Sequence, residues 1–376
     1  TLETKYNMLL NIVFIFSGFL TAVILARIII PRILIISLRK RLFDTPDIRK
    51  VHKKPVSRLG GVSFFPAILF TVTFLIGVCD KTAWIPLVDI ARHWIQILFL
   101  SSGLTLLFII GIADDLIGVR YRQKFLVQLL AAMMLPLSGL YINDFYGLLG
   151  IHEISSFIGV PITLLLVVFI TNAINLIDGI DGLASGLSMV ALSVFGFLAV
   201  FNERWMSALL ALTTVGVLLP FFFYNVFGNA DRGRKIFMGD TGSLTLGYIL
   251  SFLTVQYTMN TYEDGIDYEG AILIAFSVLL VPCLDVVRVV LGRVRRGKDP
   301  FMPDKTHIHH KFLAMGFTPR KAMISILCIS FFFCLINIIL VSYIDNTILF
   351  LCDVAVWTLM NLYMDKIILR YNKSGI

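Results

Sequence analysis

This sequence is short of charge. Asp, Glu, Lys and Arg make up 15% of its 376 residues, where soluble domains carry about 25%. Apolar residues reach 58% and the mean hydropathy is +0.88. A water-soluble core cannot hide so much apolar surface, which excludes a string of soluble domains and leaves a polytopic, all-α membrane protein. Cysteine is scarce as well. Cys79, Cys283, Cys328, Cys334 and Cys352 all lie in apolar runs with no C-x-x-C pair, which excludes a disulfide framework or a zinc knuckle. Internal repeats and low-complexity tracts are lacking, so residues 1–376 read as one domain. The first apolar run is too long for a cleaved signal peptide and lacks a small-residue cleavage site, and with Thr at position 1 a start that has been trimmed or replaced is expected.

What is present is a series of apolar runs long enough to cross a hydrocarbon layer as helices. Eleven are expected, at roughly 7–30, 61–79, 93–113, 125–141, 156–176, 186–201, 206–227, 241–259, 269–291, 322–343 and 346–364, or ten if the short sixth run joins the seventh. Placing the N-terminus outside and the C-terminus in the cytoplasm puts 26 Lys and Arg on inner segments against four on outer ones, as the positive-inside rule requires. The cytoplasmic loops then fall at about 31–60, 114–124, 177–185, 228–240 and 292–321, and the acidic stretch 260–269 lies outside. The net charge of +8 is thereby a membrane-sidedness signal, and no nucleic-acid partner is expected.

The unusual polar clusters all land on the cytoplasmic face. Asp114 and Asp115 end the third span, Asp178 and Asp181 follow the fifth, and Asp240 precedes the eighth. Carboxylates at a membrane edge are costly unless paired or bound to a cation. With Lys50, Lys53, Lys124, Arg293 and Lys305 on the same side, the mixture suits Mg2+ and a phosphorylated substrate, because Mg2+ takes one or two carboxylates together with substrate oxygens and water. Neighbouring residues on a helix point about 100° apart, so Asp114 and Asp115 cannot simply share a ligand. Asn172 and Asn175 lie on one helix side, and D-G-I-D-G-L follows at glycine-relaxed turns. Thr241 or Ser243 could cap a helix beginning at Asp240, where a metal would sit beside phosphate held at free backbone N–H groups. His307, His309 and His310 lack a further metal-ligand set, so contacts to phosphate or sugar are the better reading. Asp285 and Arg288, three apart, read as an internal ion pair, and Asp353 has no catalytic role.

Together DDLIGV (114–119) with Lys124, NAINLIDGIDGL (172–183), FMGDTGS (237–243) and HIHH (307–310) resemble the polyprenyl-phosphate N-acetylhexosamine-1-phosphate transferase superfamily, in particular bacterial undecaprenyl-phosphate GlcNAc-1-phosphate transferases. The likeness runs from about 40 to 320. Related transferases of peptidoglycan synthesis carry three consecutive histidines where Ile308 intervenes here. The resemblance implies a multi-span enzyme of the bacterial inner membrane that moves GlcNAc-1-phosphate from UDP-GlcNAc to undecaprenyl phosphate and releases UMP, the first membrane step of a cell-envelope glycan. It implies Mg2+, replaceable by Mn2+, with Asp240 as principal ligand and Asn175 as second. Asp114 resembles the base acting on the lipid phosphate, with Asp115 beside it, and Asp178 and Asp181 are the nucleotide-side carboxylates. Lys124, His307 and His309, with His310 and Asn172 alongside, resemble the substrate-binding groups; Lys50 and His52 are candidates for the lipid phosphate. Another UDP-N-acetylhexosamine, a transporter of a lipid-linked intermediate, and a homodimeric state stay open.

Overall fold

The computed structural model describes residues 2–42, 56–82, 87–259, 270–299 and 304–373. Thirteen α-helices occur among them: α1 (Leu2–Lys40), α2 (Phe64–Thr82), α3 (Leu87–Ile117), α4 (Tyr121–Leu137), α5 (Ser156–Ile177), α6 (Leu183–Phe201), α7 (Trp205–Val226), α8 (Gly239–Thr258), α9 (Ala271–Ser277), α10 (Leu280–Arg295), α11 (Ile308–Ala314), α12 (Pro319–Leu340) and α13 (Asn346–Lys373). Each expected span overlaps helix, although that at 125–141 runs past the end of α4 at Leu137 and that at 269–291 is broken between α9 and α10. Among the described residues eight helices are long and apolar enough to cross a membrane, and α9 with α10, bent by 76° at their junction, makes a ninth crossing or a re-entrant element. The remaining two differ from lipid-facing spans for identifiable reasons. α4 has only 17 residues and opens on Tyr-Arg-Gln-Lys. α8 is polar in composition yet buried continuously from Thr241 to Gln256, so protein rather than lipid sets the character of its surface.

α1 is longer than its apolar run suggested. It continues through Pro31 to Lys40 because Ala22, Ala26, Ile30, Leu34 and Ser37 form one buried stripe at helical spacing. Two compact units make up the chain, Thr1–Leu140 with Ser188–Leu253, and Tyr141–Leu187 with Thr254–Ile376.

In the first unit α1 packs along α7. A side chain at Gly216 of α7 would strike the Phe19 carbonyl and Ala22 of α1, and one at Gly18 would strike Leu209 and Thr213, so small residues set the close approach, as in other membrane helix pairs. α3 packs on α4, and the Tyr248 hydroxyl of α8 donates to the Ala131 carbonyl of α4 at 2.8 Å. Buried hydroxyls such as Thr214 and Thr245 donate to the carbonyl four residues back and so need no partner from another helix.

In the second unit α5 packs on α10, and α11 on α12 and α13. The loop before α5 folds on itself through a bridge between Asp144 and Glu153, and Asn346 donates to the Tyr146 carbonyl at 2.7 Å. Asp353 accepts a 2.9 Å hydrogen bond from Asn337 across α12 and α13, which accommodates its carboxylate inside the span.

Candidate active site

The first unit assembles its polar cluster from a strand-like backbone contact and three helix ends. Residues 57–61 run parallel to 236–238: Phe237 N donates to Ser57 O at 2.8 Å, Gly60 N to Phe237 O at 3.0 Å and Gly61 N to Met238 O at 2.8 Å. The chain then turns at Gly239, whose φ of +70° is open to glycine at little cost, and enters α8. No Cβ would fit at Gly61, which lies against the Gly242 backbone, or at Gly111 of α3, which lies against Thr241.

Asp114 and Asp115 end α3 and diverge as the helical angle requires. Asp115 turns to the start of α8, accepting from Asp240 N at 2.7 Å, Thr241 N at 3.0 Å and the Thr241 hydroxyl at 2.6 Å. It is an N-cap supplied by another helix, satisfying amides that have no intrahelical partner and setting negative charge at the positive end of the dipole. Asp114 turns the other way. One oxygen accepts from Val119 N at 2.7 Å, and the other meets the Lys124 ammonium at 2.9 Å. Lys124, near the start of α4, also pairs with Asp240. Its side chain is 14% exposed and that of Asp240 33%. Burial disfavours charge on Lys124, but Asp240 and Asp114 outweigh it and hold its pKa above the usual lysine value. Asp114, Lys124 and Asp240 therefore form one half-open, charge-dense centre, with Asp115 behind it fixing the helix that presents Asp240.

The second unit gathers the other polar motifs. Asn172 donates to the Val168 carbonyl of its own helix at 2.8 Å. Asp178 ends α5, and the next residue, Gly179, lies directly against the His309 ring, so that a Cβ there would overlap the imidazole. His309 is 2% exposed. Its Nδ1 has no hydrogen-bond partner. Burial, followed by neighbouring His310 and His307, pushes its pKa down to about 3, and burial likewise lowers His310. Both are neutral imidazoles near pH 7, able to exchange hydrogen bonds but not to act as cationic clamps.

Asp285 and Asp304 organise the rest of this unit. Asp285 meets His307 Nδ1 at 2.8 Å and Arg288 at 2.7 Å. Asp304 accepts from Arg293 at 3.1 and 3.2 Å and from the Thr306 hydroxyl at 2.8 Å. Although burial opposes its charge, Arg293 and Thr306 hold its carboxyl at about 2. Sequence reading placed Asp285 only with Arg288; nothing in the spacing points to His307, 22 residues on. Asn175 and Asp181 belong to this unit as well. Lys50 and His52 lie outside the described residues. No group of three His, Cys, Asp or Glu side chains suited to a metal ion occurs among the described residues.

A pH dependence follows from His309. The unfolded imidazole takes a proton near pH 6.5 and the folded one near 3. Between those values unfolding takes up a proton, so stability is intact near neutrality and falls as the pH drops, by about 1 kcal/mol per pH unit. Thermal melts from pH 7 to 5 are expected to show that decline, and His309→Gln to make it shallower.

The family described as Glycosyl transferase family 4 matches residues 97–258, which include the Asp114, Lys124 and Asp240 centre. A probable undecaprenyl-phosphate N-acetylglucosaminyl 1-phosphate transferase of Bacillus subtilis is 33% identical over 327 residues, 86% of this chain and 84% of the relative. The undecaprenyl-phosphate alpha-N-acetylglucosaminyl 1-phosphate transferase of Escherichia coli K12 is 30% identical over 287 residues, 76% of this chain and 72% of the relative. That of Yersinia pestis is 30% identical over 293 residues, 77% of this chain and 74% of the relative. Similarity of this extent places the protein in glycosyl transferase family 4 among the multi-pass membrane N-acetylhexosamine-1-phosphate transferases.

Proposed function

We propose that this protein transfers GlcNAc-1-phosphate from UDP-GlcNAc to undecaprenyl phosphate at the cytoplasmic face of a bacterial inner membrane. The observation that carries the proposal is the Lys124 ammonium set between the Asp114 and Asp240 carboxylates. Such a centre has both the negative groups that a divalent ion needs and a cation for a phosphate oxygen. Two carboxylates already turned to one positive charge are a donor set that fits Mg2+, which prefers few carboxylates and completes its shell with water and phosphate. Asp240, the more exposed of the two, would hold the ion with Asp114 at hand. Bound there, Mg2+ or Mn2+ would neutralise charge on the donor's pyrophosphate.

In the reaction an oxygen of the lipid phosphate attacks the β-phosphorus of the UDP-sugar in line. A new P–O bond forms as the bond to the bridging oxygen breaks, and UMP leaves. Lys124 stabilises negative charge on the phosphates. Asp114 takes any proton left on the attacking phosphate, and Asp115 keeps α8 in register. Asn172 within α5, and Asp178 and Asp181 in the turn that follows it, are proposed as the groups for the nucleotide sugar.

The test is UMP release by detergent-purified protein. Release that needs UDP-GlcNAc, undecaprenyl phosphate and Mg2+ together supports the proposal. Release only with another UDP-N-acetylhexosamine would move the donor assignment, and none across a panel of donors and polyprenyl phosphates would remove the proposal.

A further inference from the structure

Asp285 of α10 is completely buried, and both its oxygens are in use. One meets His307 Nδ1 at 2.8 Å. The other accepts from Ile308 N at 3.0 Å and from Arg288 at 2.7 Å. Arg288 in turn donates to the Thr306 carbonyl at 2.6 Å. One carboxylate thus grips the histidine side chain, the first amide of α11 and, through Arg288, the backbone before it. An ionised carboxylate only accepts hydrogen bonds, so Nδ1 must carry the hydrogen, and Nε2 is the nitrogen left to act. Nε2 has no hydrogen-bond partner among the described residues, in a side chain that is 7% exposed. The ring cannot easily swing away, because it stacks on His309 at 5.9 Å with planes 6° apart. A structural ion pair needs only Arg288 and Asp285. The added grip on a histidine whose other nitrogen is open is what positioned imidazoles share across unrelated active sites.

We propose that Asp285 is a positioning residue that locks His307 in its Nδ1–H form and presents Nε2 to a phosphate-bearing substrate. This rests on the transferase reading above and adds to it a residue that never touches substrate. Replacing the carboxylate with an amide allows the NH2 group to face Nδ1, which moves the ring hydrogen to Nε2 and exchanges an acceptor for a donor at the working position. Asp285→Asn is expected to lower kcat about 10²-fold, the upper range for loss of an orienting partner, with KM for the donor changed less than about threefold, since binding of the rest of the donor does not depend on this hydrogen. Arg288→Met removes the ion pair but leaves the histidine contact, and is expected to lose far less kcat than Asp285→Asn.

The lock itself is read without turnover, by 15N NMR of histidine-labelled protein in bicelles, with His307→Gln assigning the signal. The expected result is Nδ1–H for His307 in the native protein and Nε2–H in Asp285→Asn. An Nε2–H form in the native protein overturns the proposal even if Asp285→Asn fails to fold. An active native enzyme with an equally active Asp285→Asn variant also overturns it while leaving the transferase reading intact. An inactive native enzyme across all donors removes that reading, and the NMR result still decides whether the lock exists.

Discussion

Lys124→Met is expected to lose about 10²–10³-fold in UMP release, the scale for removing one charge-stabilising group from an active site, and to melt well below the native protein. The stability loss follows from what remains. Asp114 and Asp240 both turn toward the ammonium, and without it two partly buried carboxylates face each other. Removing one partner of a buried charge pair costs about 3–5 kcal/mol; with Asp240 one-third exposed, about 3 kcal/mol is expected. The variant also gives a reading of metal binding that is independent of catalysis. A divalent ion bound only by the folded protein raises the melting temperature by mass action. Millimolar Mg2+ is therefore expected to restore more stability to Lys124→Met than it adds to the native protein, because the ion meets two uncompensated carboxylates. If Lys124→Met melts like the native protein, or Mg2+ shifts both equally, Lys124 is not the charge that holds the two aspartates together.

The divergence of Asp114 and Asp115 was legible before any coordinates, since adjacent helical positions point in different directions. Which carboxylate does what was not, because the partners lie far along the chain: Lys124 and Asp240 are separated by 116 positions and Asp115 and Thr241 by 126. The helices were legible because apolar runs of sufficient length mark them, and even α8, polar for a span, fell where its run lay. The extension of α1 past Pro31 was hidden, since a proline and several basic residues look like a stop and only packing of Ile30, Leu34 and Ser37 overrides them. Asp285 with Arg288 shows the opposite failure. A sufficient local partner three residues away left no reason to seek His307, and the connecting segment carries no periodic signal that would place it. His309 was legible as a polar residue in a suggestive motif but not as a buried one. Its burial depends on Gly179, whose missing side chain makes room for the ring.

Gly239→Ala is expected to be nearly as damaging as Lys124→Met although it changes no functional group. Gly239 sits at φ +70°, where a side chain costs about 1–2 kcal/mol. An added methyl there would also overlap the Arg58 carbonyl and crowd both carboxylate oxygens of Asp115, which lie 2.6 Å from the Cβ position. That carboxylate holds Asp240 N and Thr241 N, so the methyl can be admitted only by pulling the cap off α8 and shifting Asp240 relative to Lys124. Gly118→Ala supplies the control. Gly118 has a φ of +72° but open space around it, so it bears the backbone cost alone. Gly118→Ala is expected to lower stability by about 1 kcal/mol and leave kcat within a few-fold. Gly239→Ala is expected to lose about 3 kcal/mol, adding the lost cap to the backbone cost, and at least about 10²-fold in kcat, since small displacements of catalytic groups carry such penalties. Melting curves and UMP release on the two variants side by side decide the matter: equal behaviour would mean that the Asp115 cap does not position Asp240, and that the two aspartates ending α3 must be assigned their parts anew.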